Sequence, residues 1–310
     1  MRPRFILERL YNLFFEIKNE WEIGIIPENL ENIIFKAEKI KEIKWFKSPN
    51  YEFWADPFGL KLGNLYYIFY EAFNKKKRYG RINCMILDIN LKIIENRTII
   101  DEGLHMSFPQ VFHYNSKYFI LPETLSKNKL SLYVCEFFPW KWVKKVDLLD
   151  EQCYDSLLFQ YNQYWYLFYS KVAKKPNLYL KRNKHLTKGW KYCQDYLISN
   201  SSKESRNAGQ IFQFDSKLYR PSQDCSRVYG EKIRINQINE IIPENYSEIF
   251  IRELKSEFFK DRDNKHHTIN KCGDITLIDR NRKKIFAKSI ITILKQISSK
   301  IQNYNHKFSG

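Results

Sequence analysis

Acidic side chains recur at fixed places in a repeated stretch of this sequence. Asp56 and Asp155 each stand four residues before an apolar residue that precedes a polar turn, and Glu71 and Glu123 each close the aromatic stretch after such a turn. Carboxylates held in unlike surroundings can divide acid and base work, one protonating a leaving oxygen while another, ionised, activates or supplies a nucleophile. Crowding like charges raises the pKa of some of them, as a general acid requires. Asp56, Glu123 and Asp155 are the candidate catalytic groups. Glu71, His105, Ser107, Arg206, Arg220, Gln223, Asp224 and His267 are candidate binding groups, a mixture of donors and acceptors suited to a neutral ligand rich in hydroxyls. Carboxylates and histidines of this set are also metal-ligand types, but no spacing demands an ion, so neither a metal nor a cofactor is expected.

The elements that must position these residues are legible as a repeat. DPFGLKLGNLYYIFYE (56–71), FPQVFHYNSKYFILPE (108–123), DSLLFQYNQYWYLFYS (155–170) and AGQIFQFDSKLYRPSQ (208–223) share a plan of apolar strand, polar turn and aromatic strand, and HTINKCGDITLID (267–279) is a shorter fifth copy. Leu60, Phe112, Phe159, Phe212 and Ile269 mark steps of 52, 47, 53 and 57 residues, enough for four short strands, which make one propeller blade. Gly63-Asn64, Asn115-Ser116, Asp215-Ser216 and Gly273-Asp274 are tight-hairpin residues. In such a hairpin the start of the first strand and the end of the second share one rim, so Asp56, Phe108, Asp155 and Ala208 are expected beside Glu71, Glu123, Ser170 and Gln223. The fold class is therefore all-β, a five-bladed propeller over residues 21–280. WEIGII and IKWF, between Trp21 and Phe46, are expected to close the ring. Helical spacing of Ile6, Leu10, Leu13, Phe14 and Ile17, and of Phe286, Ile290, Ile293, Leu294, Ile297 and Ile301, predicts amphipathic helices over 1–20 and 281–310.

Bulk properties exclude several classes. No apolar run reaches the roughly 18 residues of a membrane span, and Arg9, Glu16 and Lys18 interrupt the N-terminus against a signal peptide. Six scattered cysteines without a CxxC pair fit a reducing compartment, so a cytoplasmic location is expected. Eight of the net +17 charges lie between Arg280 and Gly310, where there is no Asp or Glu. A basic amphipathic tail of this kind suits an anionic membrane surface, with the protein peripheral at the inner face. The aromatics follow the strand repeat and no recognition motif is present, so nucleic acid is not an expected partner. No phosphate-cradling Gly-rich loop occurs.

WADPF (54–58), FYE ending at Glu71, HMSFP (105–109), LPET (121–124), YRPSQDCSRVYG (219–230) and HHTIN (266–270) together resemble the N-terminal domain family named after plant glucosamine inositolphosphorylceramide transferase, over about Trp21 to Asp279. That resemblance implies a kinship with the five-bladed propellers of furanosidases and fructosyl-transferring enzymes, where an Asp in a first-blade DP dipeptide is catalytic, which makes Asp56 the base or nucleophile. The chain departs from the glycosidase pattern with Phe108 in blade two and Asp155 in place of a Glu acid in blade three, so Glu123 or Asp155 has to serve as acid. Bacterial members resemble parts of surface-polysaccharide machinery. Three readings follow: a glycosyltransferase in cytoplasmic lipopolysaccharide or capsule assembly, a non-catalytic propeller presenting a lipid-linked sugar to a partner enzyme, and a furanosidase-type hydrolase. Each takes a glycan or lipid-linked sugar as substrate.

Overall fold

The computed structural model describes residues 14–36, 40, 42–124, 128–172, 176–259, 264–287 and 293–294. Five antiparallel sheets are built as the repeat requires. Blade 1 runs from inside outward through Glu52–Leu62, Leu65–Asn74, Tyr79–Leu87 and Ile93–Ile100. Blade 2 uses Met106–Tyr114, Lys117–Thr124, Leu130–Phe137 and Lys141–Leu149, and blade 3 uses Tyr154–Tyr161, Tyr164–Val172, Pro176–Asn183 and Lys191–Ser199. Blade 4 has an interrupted inner strand, Arg206–Asn207 and Phe212–Phe214, followed by Lys217–Asp224, Lys232–Ile241 and Tyr246–Leu254.

The fifth blade is made from both ends of the chain. Its inner strands Ile269–Cys272 and Ile275–Ala287 are completed by Phe15–Ile26 and Lys44–Trp45, so the ring closes without leaving the last blade an unpaired hairpin. Gly24 faces Trp45 across this closure, where a β-carbon would meet the indole ring at 2.7 Å. Between the two closing strands the helix Leu30–Phe35 starts at Asn29, whose side chain accepts the Asn32 amide at 2.9 Å. It seats Leu30, Ile33 and Ile34 in the core between blades 4 and 5.

Residues 21–281 make one compact unit, and residues 1–20 with 282–310 group as another. The strand Phe15–Ile26 begins inside the stretch where a helix over 1–20 was expected, and Ile275–Ala287 continues past residue 280. Phe15 and Ile17 fit a strand's alternation as well as a helix's spacing, and the open edge of the last hairpin decides between them. Residues 1–13 and the tail from 288, apart from 293–294, lie outside the described residues.

Facing sheets are glued by aromatic and aliphatic side chains. Phe58, Phe69, Phe108 and Trp142 join blades 1 and 2, and Leu121, Leu158, Trp165 and Tyr169 join blades 2 and 3. Trp142 and Trp190 pack in these interfaces, burying aromatic surface between blades. Among the described residues, no helix is long and apolar enough to cross a membrane.

Candidate functional site

The inner strands of blades 1, 2 and 3 share one irregularity. Asp56-Pro57, Phe108-Pro109 and Asp155-Ser156 are each inserted between ladder pairs, Ala55 with Glu71 and Phe58 with Phe69 in blade 1, and their counterparts in the next two blades. Two residues thus oppose one, a β-bulge. The first residue of each pair is left-handed, with φ of 51° at Asp56, 47° at Phe108 and 45° at Asp155. A side chain in that conformation costs about 1 kcal/mol or more, and the same cost at three equivalent positions calls for a common reason. The bulge turns the residue's N–H toward a carboxylate of the preceding blade. Asp56 N–H donates to Asp279 at 3.1 Å, Phe108 N–H to Asp56 at 3.2 Å and Asp155 N–H to Glu123 at 2.9 Å.

A cavity of about 270 Å³ opens where these strand ends meet. Asp56 and Glu71 line it from blade 1, His105, Ser107 and Glu123 from blade 2, Asp155 from blade 3, Arg206 from blade 4 and His267 from blade 5. Trp21, Phe53, Phe73, Tyr154 and Tyr229 add an aromatic wall. All three expected catalytic carboxylates, and five of the eight expected binding residues, therefore come together.

Arg220, Gln223 and Asp224 do not. Arg220 is fully buried inside blade 4, paired with Glu248 and donating to Asn207 Oδ1 at 2.9 Å and the Glu204 carbonyl at 3.0 Å. Gln223 donates to the Asn207 carbonyl at 2.8 Å, and Asp224 accepts the Ser226 amide at 2.9 Å. In this blade the broken inner strand leaves polar groups of Asn207 that Arg220 and Gln223 satisfy, and Gln223 stands where Glu71 and Glu123 face the mouth in blades 1 and 2. These three therefore stand outside the lining of the cavity where they were expected.

The carboxylates of the mouth are not alike. Asp155 is held by a two-pronged pair with Arg206, at 2.5 Å from Nε and 3.2 Å from Nη2, the fork geometry of a guanidinium on a carboxylate. Burial raises Glu123 to about 8, with the neighbouring Asp155 charge adding to it. Burial, with Asp56 and Glu123 nearby, also pushes Glu71 well above the carboxylate range. Among the described residues Glu71 Oε1 has no hydrogen-bond partner, and His105 Nδ1, 3.7 Å away, already accepts the Gly80 amide at 2.9 Å. Burial holds the His105 pKa below its ordinary value, so at neutral pH that imidazole brings Glu71 no positive charge.

Asp56 sits between these extremes. Burial raises its pKa to about 6, opposed by His267. Its Oδ1 accepts the Thr268 hydroxyl at 2.9 Å and lies 3.2 Å from His267 Nε2. His267 Nδ1 in turn lies 2.7 Å from Asp279 Oδ2. Donor atoms of Asp56, His267 and Asp279 fall within 4.8 Å of one another. These atoms pair with each other, the imidazole lying between the two carboxylates, and no ion is assigned to the trio.

Sequence reasoning missed Asp279. Counted from the closing pairs Leu62 with Leu65 and Cys272 with Ile275, it occupies the register of Phe69, two residues nearer the turn than Glu71. A carboxylate in a register that holds Phe69, Leu121 and Phe168 in sister blades was the available signal. The aromatic wall was missed too, since Trp21 and Tyr229 lie outside the repeat units.

Comparisons with known proteins agree with this architecture. The chain is 32% identical over 205 residues to glucosamine inositolphosphorylceramide transferase 1 of Oryza sativa subsp. indica, covering 64% of this chain and 28% of that protein. It is 29% identical to the protein of the same name from Arabidopsis thaliana, over 64% of this chain and 27% of that protein. The chain thus spans little more than a quarter of these relatives. Among solved structures, the catalytic domain of an α-L-arabinofuranosidase from Coprinopsis cinerea superposes with a TM-score of 0.53 at 10% identity, covering 65% of this chain and 69% of that one, a likeness of fold. The model of one family matches residues 31–276, nearly the whole ring that carries the bulges and the cavity. This chain belongs to that family, glucosamine inositolphosphorylceramide transferase 1, N-terminal.

Proposed function

We propose that the propeller is a carbohydrate-active module that transfers a glycosyl group, with Asp56 as base or nucleophile and Glu123 as proton donor. One observation carries this reading: buried carboxylates around a single cavity are divided between an ion stabilised by donors and neutral acids. Asp56, ringed by His267, Thr268 and the Phe108 N–H, is ionised at neutral pH, while Glu123 remains protonated up to about 8. In the proposed reaction Glu123 gives its proton to the leaving oxygen as the glycosidic or sugar-phosphate bond breaks. Asp56 takes the proton from the attacking hydroxyl, or attacks the anomeric carbon and is displaced in a second step by that hydroxyl, whose proton goes to the now ionised Glu123. Arg206, braced on Asp155, and His105 offer donors to sugar hydroxyls.

The names of the curated relatives join a transferase to glucosamine and inositolphosphorylceramide. They support a sugar donor with a lipid-linked acceptor, and the reading places the reaction in surface-polysaccharide assembly at the cytoplasmic face of a membrane. A specific observation favours a second reading, a propeller that binds and presents a glycan without turning it over. Blade 2 carries Phe108 where blades 1 and 3 carry Asp56 and Asp155, and its ring is buried against Phe58 at 4.9 Å between centroids.

Incubation of the purified chain with a panel of nucleotide sugars and lipid-linked glycans, read by mass spectrometry, separates the readings. Transfer predicts acceptors heavier by one sugar residue. Free sugar alone identifies a hydrolase, and unchanged acceptors with measurable glycan binding identify the presenting module.

A further inference from the structure

Asp279 has no surface exposure and five donors converge on it. Oδ1 accepts the backbone N–H of His267 at 3.1 Å and of Thr268 at 3.0 Å. Oδ2 accepts the Asp56 N–H at 3.1 Å, and lies 2.9 Å from the Thr268 hydroxyl and 2.7 Å from His267 Nδ1. A buried carboxylate left unpaired is strongly destabilising, and this one is satisfied so completely that it can orient what it holds. The His267 ring is fixed in the second dimension by Trp21, stacked on it at 3.8 Å between centroids, and its edge meets Tyr229 at 5.4 Å. With Nδ1 committed to Asp279, Nε2 points at Asp56 Oδ1.

We propose that Asp279 is a positioning residue which, through His267, holds a cationic imidazole against Asp56 and so sets the ionisation and orientation of the reacting carboxylate. The geometry is that of a carboxylate ordering a histidine whose far nitrogen serves the chemistry, with the far partner here a second carboxylate. The groups facing His267 are Asp279 on its own blade, Asp56 from blade 1, Asp155 across the mouth, and Trp21 and Tyr229 as its aromatic walls. Burial works against a charged ring, but Asp279, Asp56 and Asp155 outweigh it and keep the His267 pKa above the ordinary histidine value. The Thr268 hydroxyl, 2.9 Å from both Asp56 and Asp279, has one proton to give and so can serve only one of them at a time. A proton taken up by Asp56 therefore frees that hydroxyl for Asp279 and keeps the trio satisfied.

The role in turnover rests on the glycosyl-transfer reading, whereas the pairing itself can be tested without it. Histidine-labelled protein observed by NMR, with His267→Gln for assignment, should show the His267 ring titrating above the ordinary histidine range, and Asp279→Asn should move its titration down by about one pH unit or more. A His267 already neutral at pH 7 in the wild type overturns the proposal whatever the enzymology shows. In the transfer assay His267→Gln removes the cation beside Asp56, so the acidic limb of kcat should move to higher pH, with kcat at pH 6 reduced at least tenfold and KM little changed. Thr268→Val, close in shape, should cause a smaller shift in the same direction. Unchanged profiles in both variants, with wild-type turnover intact, overturn the positioning role, and absence of turnover in the wild type tells against glycosyl transfer alone.

Discussion

Asp56→Asn is expected to lower kcat by about a thousandfold while glycan affinity changes by no more than about tenfold. The asymmetry follows from where the carboxylate sits. Asp56 lies at the floor of the mouth with its oxygens engaged by Phe108 N–H, the Thr268 hydroxyl and His267, so its charge matters most when a proton or an anomeric carbon must be taken up. An amide at this position keeps the volume but presents one NH₂ group to a set of donors. Some loss of stability accompanies the substitution, and thermal unfolding in parallel separates it from the chemical effect. Calorimetry and initial rates on the same preparation make the test. Equal losses in affinity and turnover would assign Asp56 to binding alone.

Gly209→Ala is expected to destabilise the propeller by at least about 3 kcal/mol, through loss of hydrogen bonds and strain in closely packed backbone. Blades 4 and 5 touch main chain to main chain at this residue. Ile269 N–H donates to the Ala208 carbonyl at 2.7 Å, and Gln210 N–H donates to Asn270 Oδ1, also at 2.7 Å. Asn270 donates onward to the Pro57 carbonyl at 2.9 Å, linking blade 1 as well. A β-carbon on Gly209 would lie 1.9 Å from the Ile269 carbonyl oxygen and 2.9 Å from Asn270 Oδ1, so the blades must part and these bonds stretch together. A fall in Tm of about 5–10 °C is expected for a domain of this size. Gly63→Ala is the control: it sits in a hairpin with φ of 57° and nothing within 4 Å, and should cost only about 1 kcal/mol. Equal behaviour of the two variants in a thermal melt would show that blades 4 and 5 are not held at Gly209.

The ring and most of its mouth were legible because each blade repeats one hairpin, and position within a hairpin dictates position on the rim. Asp56, Glu71, Glu123 and Asp155 were placed by that rule, and all four line the cavity. The bulges were not legible. Left-handed φ at Asp56, Phe108 and Asp155 runs against the preference of every residue but glycine, and is held there by carboxylates from another blade. Gln223 obeyed the same rule in sequence but not in space, since the inner strand of blade 4 breaks between Asn207 and Phe212, and the Asn207 carbonyl takes the Gln223 amide as Asn207 Oδ1 takes Arg220. Asp279 escaped notice for the reverse reason. It lies one register deeper than the rim, where sister blades bury a Phe or Leu, and one of its partners, the Asp56 amide, reaches it only when the ring closes. The N-terminal strand shows a similar dependence, since Phe15–Glu20 is extended by the free edge of the last hairpin and not by a local preference.

The pH dependence of wild-type kcat/KM in the transfer assay tests the central claim most directly, because it reads the division of labour among the buried carboxylates without altering any of them. Asp56, raised to about 6 by burial, must be ionised, so activity should climb through that pH. Glu123, raised to about 8 by burial and by Asp155, must be protonated, so activity should fall above it. The account predicts a bell with limbs near 6 and 8, each belonging to the coupled cluster as a whole. A profile that rises near pH 4, the ordinary range of an exposed carboxylate, and stays level beyond pH 9 would contradict it.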